Sequence, residues 1–138
     1  MHSLPVCFKQ EQDAKIMKLL VASSNDSLTS HPSNTSTDFT VELQRTLEAG
    51  ECALGEISYS PSYIGELLVV CDICEENFIH EIRLPFLRTV SEPGEVKNLY
   101  FIPTSRPQFQ RIRIRLLTKD LEIPPQPLGI VSCTLLFR

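Results

Sequence analysis

The sequence predicts an all-β domain built as an eight-stranded antiparallel sandwich. Three observations carry this expectation. Residues 39–43 and 111–116 alternate strictly between apolar and polar side chains, the period of two that a half-buried strand requires. Ten prolines against five glycines in 138 residues leave little room for long helices, because proline breaks a helix interior at a cost of about 3 kcal/mol. Apolar segments are separated by Pro, Gly and polar turns at intervals of roughly 10–15 residues, as in sandwiches and barrels.

The elements follow in order. Residues 15–22 form a mixed apolar run that ends directly in turn chemistry, which favours a strand. Residues 23–37 are rich in Ser, Thr and Asn and read as a long surface loop. The second strand, 39–46, places Phe39, Val41 and Leu43 on one face and Thr40, Glu42 and Gln44 on the other. A strand at 52–60 stops at Ser60-Pro61-Ser62. Residues 67–73 are apolar on both faces and predict a central strand. The strand at 78–90 carries a bend or edge at Pro85. Ser91-Glu92-Pro93-Gly94 is a turn. Short strands follow at 98–102 and 109–118, then a rigid loop at Pro124-Pro125-Gln126-Pro127. The last strand is 130–137. Eight strands match a single jelly roll, two four-stranded sheets packed face to face. A seven- to nine-stranded immunoglobulin-like sandwich has a compatible count, although its antibody form places a Trp between two Cys, and the chain has no Trp.

The length predicts one domain, read as a flexible N-terminal arm at 1–14 and a single domain at 15–138. Thirteen basic and seventeen acidic residues give a net charge of −4. That balance argues against a nonspecific nucleic-acid binder, which is usually basic. The longest fully apolar run, Leu67-Leu68-Val69-Val70-Cys71, falls far short of a spanning helix, which needs about 20 residues. No secretory leader is read at the N-terminus. Five cysteines are therefore expected as free thiols in a reducing compartment. On the same ground the sequons at Asn25 and Asn34 are discounted.

Candidate chemistry is sparse. Cys71-Asp72-Ile73-Cys74 has redox spacing but ends an apolar strand, where residues three apart point to opposite faces. A low-pKa thiol of that motif needs a helix N-terminus, and zinc needs a second ligand pair. His2, His31 and His80 are scattered rather than clustered as metal ligands would be. No G-x-S-x-G elbow, P-loop or G-x-G-x-x-G occurs. The chain is thus expected to be no enzyme and to need no cofactor and no metal.

The sharpest feature is the ladder Arg111, Arg113, Arg115. With Ile112, Ile114 and Leu116 facing the core, these arginines face away, roughly 6–7 Å apart along the strand. They are candidates for phosphates, for carboxylates of a neighbouring strand or subunit, or for simple solvation. The ladder is carried forward as a candidate subunit interface, with no specific nucleic acid and no membrane as partner.

Three stretches together resemble a known family. Pro32-Ser33-Asn34-Thr35-Ser36-Thr37-Asp38-Phe39-Thr40-Val41-Glu42-Leu43 leads into Leu54-Gly55-Glu56-Ile57-Ser58-Tyr59-Ser60-Pro61. Phe86-Leu87-Arg88 closes a strand, and Ile130-Val131-Ser132-Cys133-Thr134-Leu135-Leu136-Phe137-Arg138 ends the chain. In this order they look like the penton (minor capsid) protein of Polinton/Maverick elements and adintoviruses, over residues 30–138. The chain departs from that pattern at Glu51-Cys52-Ala53, where the family has Trp-Glu-Val, and at Leu136, where it has His. It also reverses the order of Pro32 and Asn34. These departures leave open a more distant capsid lineage such as the adomaviruses.

The resemblance implies a single jelly roll forming homopentamers at icosahedral fivefold vertices, beside a separate double jelly-roll major capsid protein. It implies a virion location after synthesis in the cytoplasm or nucleus of a host cell. The alternative class is a cellular jelly-roll binding module. A nucleoplasmin-like chaperone would carry acidic tracts, and the longest acidic run here is Glu75-Glu76. A carbohydrate-binding domain would want an aromatic platform, against three Tyr and no Trp.

Overall fold

The computed structural model describes residues 17–79 and 81–138. The arm expected at 1–14, with His2 and Cys7, and His80 lie outside the described residues. The described chain is all-β and contains no helix. Its strands are β1 (Lys18–Ser23), β2 (Asp38–Glu48), β3 (Glu51–Ser58), β4 (Leu67–Cys71), β5 (Asn77–Ile79), β6 (Ile82–Leu84), β7 (Phe86–Val90), β8 (Gly94–Glu95), β9 (Ile102–Pro103), β10 (Gln108–Leu117) and β11 (Ser132–Phe137).

All pairings are antiparallel. One sheet runs β1-β11-β3-β8, with β9 also on β3. The second runs β2-β10-β4-β7, and β5 and β6 form a separate hairpin. Where eight strands in two four-stranded sheets are expected, the described residues form eleven segments in sheets of five, four and two.

The extra segments have local causes. The strand expected at 78–90 breaks into β5, β6 and β7. Glu81, between β5 and β6, takes a left-handed φ of 69°, and Pro85, which has no N–H for a ladder, separates β6 from β7. The strand expected at 98–102 shrinks to β9, since Asn98 has φ 58° and leaves extended geometry. Gly94, expected as the end of a turn, and Glu95 after it pair with Ile57 and Glu56.

The inward faces of the two larger sheets make one core. Phe39 and Val41 of β2, Ile112, Ile114 and Leu116 of β10, and Cys133, Leu135 and Phe137 of β11 are all buried in it. The alternation read in β2 and β10 thus decides which face packs. Phe109 and Phe137 meet at 5.5 Å between ring centroids, a separation favourable for aromatic pairs. Every residue of β4 is buried. Leu67, Val69 and Cys71 join the core. Leu68 and Val70 lie on the opposite face, between Leu117 and Thr89 and between Arg115 and Phe86 respectively.

The Cys71–Cys74 geometry differs from expectation. The strand ends at Cys71, and the Cys74 N–H donates to the Cys71 carbonyl at 3.0 Å. This turn brings both thiols into one core instead of onto opposite faces. Cys52, Cys71, Cys74 and Cys133 are free and buried. The thiol–thiol hydrogen bond with Cys74 and burial push the Cys71 thiol well up. The contact with Cys52 raises Cys74, and desolvation pushes Cys133 up to about 12.

Candidate functional site

The arginine ladder lies on the outer face of the β2-β10-β4-β7 sheet, on a strand held from both sides. Arg111, Arg113 and Arg115 stand opposite Glu42, Thr40 and Asp38 of β2. Both backbone groups of Thr40 bond to Asn34, away from β10. Positions 38, 40 and 42 are consequently the non-hydrogen-bonded pairs of the ladder, with Cα atoms about 4.5 Å apart and side chains close.

Carboxylates of the same chain answer two of the three arginines. Arg111 Nε donates to Glu42 Oε2 at 2.6 Å. Arg113 reaches diagonally past Thr40 to Asp38, Nε to Oδ1 at 2.9 Å and Nη2 to Oδ2 at 2.7 Å. Its backbone N–H also donates to Asp72 Oδ1 at 2.8 Å. Arg115 is half-buried and, among the described residues, has no carboxylate within ion-pair distance. Asp38 is directly opposite it in register, but that carboxylate is turned to Arg113.

Glu42 is the hub of the face. The same Oε2 that meets Arg111 lies 2.7 Å from His31 Nε2. The His31 contact, then the Arg111 hydrogen bond, holds the Glu42 carboxyl below its ordinary value of 4.5. The Asp38 contact likewise raises Arg113. Sequence reasoning missed His31 as part of this group. It sits in the loop with no periodic pattern, 11 residues from Glu42.

The chemistry open to this face follows from these pairs. Phosphate binding by Arg113 would have to displace a bidentate carboxylate, so the face suits a charge-paired contact better than a nucleic-acid track. The pairs are half-exposed, with side-chain exposures of 49% and 44% for Arg113 and Asp38. Such pairs contribute about 0–1 kcal/mol each. A cleft of about 590 Å³ lies elsewhere, lined by Tyr63, Gly65, Thr118 and Ile123 among others. Among the described residues, no group of three or more His, Cys, Asp or Glu is arranged to hold a metal ion, and no helix is long and apolar enough to cross a membrane. Comparison with known protein families and with curated proteins finds no match for this chain.

Proposed function

We propose that this chain is a structural capsid protein: a single jelly roll that forms homopentamers at icosahedral fivefold vertices, beside a double jelly-roll major capsid protein. The observation that carries the proposal is the nesting of strand pairs. The first strand pairs with the last, β1 with β11, then β2 with β10, β3 with β8 and β9, and β4 with β7. Such nesting results when one long antiparallel ribbon folds over into two sheets, the jelly-roll plan shared by many capsid domains. Eight strands remain when β8 and β9 are taken as one interrupted strand on β3 and the β5–β6 hairpin as an insertion between β4 and β7.

The sequence resemblance supports the same reading. Its motifs fall on β2, β3, β7 and β11, four members of the nest. The site of action is then the virion capsid, and the role is assembly rather than catalysis. Within the ladder, Arg115 is the member free to meet a neighbouring subunit's carboxylate, since Arg111 and Arg113 already hold Glu42 and Asp38. Native mass spectrometry of the full-length chain tests the proposal. The expected mass is five times that of one chain, and a monomer at every concentration overturns pentamer formation by the isolated protein.

A further inference from the structure

Residues 24–37 connect β1 to β2; Ser24 is buried against Val131, and from residue 25 to 37 no side chain is buried. They nevertheless occupy the outer edge of the first half of β2, at Asp38, Thr40 and Glu42. The Thr35 N–H donates to the Asp38 carbonyl at 2.9 Å. Asn34 Nδ2 donates to the Thr40 carbonyl at 2.8 Å, and the Thr40 N–H donates to Asn34 Oδ1 at 2.9 Å. The Glu42 N–H donates to Ser27 Oγ at 3.0 Å. These are the alternate positions of β2 whose backbone groups point away from β10. The Asn34 amide gives one donor and one acceptor to a single residue, as the backbone of a neighbouring strand would.

β2 is an edge strand, with β10 on one side only. An edge with unpaired N–H and C=O groups is a template for pairing with another chain. Without its side-chain partners, this edge would pair with its own copy across a twofold axis, because one antiparallel edge supplies both halves of such a contact. The covering segment is held by hydrogen bonds that contribute about 0.5–1.5 kcal/mol each. It adds no buried side chain to the core. Segments of that kind open locally, well below the free energy of global unfolding.

We propose that residues 25–37 are a detachable guard, which occupies the edge hydrogen bonds of β2 and holds back pairing of β2 with a second copy of this chain. The contact it suppresses is twofold and isologous, whereas a fivefold ring closes through heterologous contacts. The guard therefore stands or falls independently of the pentamer.

Hydrogen exchange and sedimentation velocity on the full-length chain test it. In the wild type, the Thr40 and Glu42 amides exchange through local opening, at least tenfold faster than that of Val41, which faces β10. In the Asn34→Ala/Ser27→Ala double variant these two amides quicken at least a further tenfold while Val41 is unchanged. The same variant adds a species of twice the wild-type assembly mass that grows with concentration. Adding Thr40→Pro, which deletes an outward edge donor, removes that species. Exchange of Thr40 and Glu42 only together with Val41, through global unfolding, overturns the guard and needs no variant. An unchanged mass distribution in a folded double variant overturns it as well.

Discussion

Arg113 and Asp38 form a two-point contact, Nε to Oδ1 at 2.9 Å and Nη2 to Oδ2 at 2.7 Å, between residues 75 apart in sequence. Lysine, a single point charge, would not reproduce this fork. Both partners are half-exposed. A double-mutant cycle with Arg113→Ala and Asp38→Ala is therefore expected to give a coupling of about 0.2–1 kcal/mol by denaturant unfolding. A coupling above about 3 kcal/mol would show a desolvated pair instead.

Arg113 is a poor probe of assembly, because Arg113→Glu sets two carboxylates against each other inside one chain. Arg115→Ala is the cleaner test, because it removes the cation without placing a second carboxylate opposite Asp38. It is expected to weaken the pentamer at least tenfold while moving stability by less than about 1 kcal/mol, measured by sedimentation equilibrium and thermal unfolding. An unchanged pentamer would remove the ladder from the contact surface.

Acid should loosen the Glu42 hub. Its carboxyl titrates below the ordinary value because of His31 and Arg111. The stabilisation it contributes is present above the unfolded pKa and is lost as pH falls through the lower folded pKa. Glu42→Gln is thus expected to lower the melting temperature more at pH 7 than at acid pH. An equal drop at both pH values would show that the carboxylate charge is not what matters. A carbon-13 titration of the Glu42 carboxyl gives the direction of the shift independently.

Ile112 and Ile114 are fully buried between the sheets. Replacing either by Ala removes apolar contact and leaves a cavity, at a cost of about 2–5 kcal/mol. Leu121 carries a left-handed φ of 63° in the turn that closes from Leu121 N–H to the Thr118 carbonyl. Leu121→Gly is expected to raise stability by up to about 1 kcal/mol, since a side chain in that region costs roughly 1–2 kcal/mol. Urea unfolding checks both, and a destabilising Leu121→Gly would show that the Leu side chain contributes packing.

The core thiols should be silent in the native protein. Cys52, Cys71, Cys74 and Cys133 are buried away from reagent, and the raised pKa of Cys71, Cys74 and Cys133 leaves little of the reactive thiolate at those three. Maleimide labelling followed by peptide mapping is expected to modify these four only at the rate of unfolding. Fast labelling of any of them would overturn the placement of that cysteine.

Local sequence was sufficient for the all-β class and for the sidedness of the arginine ladder. Alternation over Phe39–Val41 and Ile112–Leu116 decides which side chains meet the core, because a strand's faces repeat every two residues whatever lies beside it. Prolines and polar turns marked most strand ends within a few residues for the same local reason. Neighbours and register were not legible in this way. Only the tertiary structure sets Glu42 against Arg111, 69 residues away, and turns Asp38 toward Arg113 rather than Arg115. It also brings His31 onto Glu42 and seats Asn34 on the edge of β2. Those contacts depend on how two whole sheets pack and which strands become edges. That choice is made by the summed burial of the core and by the need to satisfy every backbone group, and no single segment's period contains it.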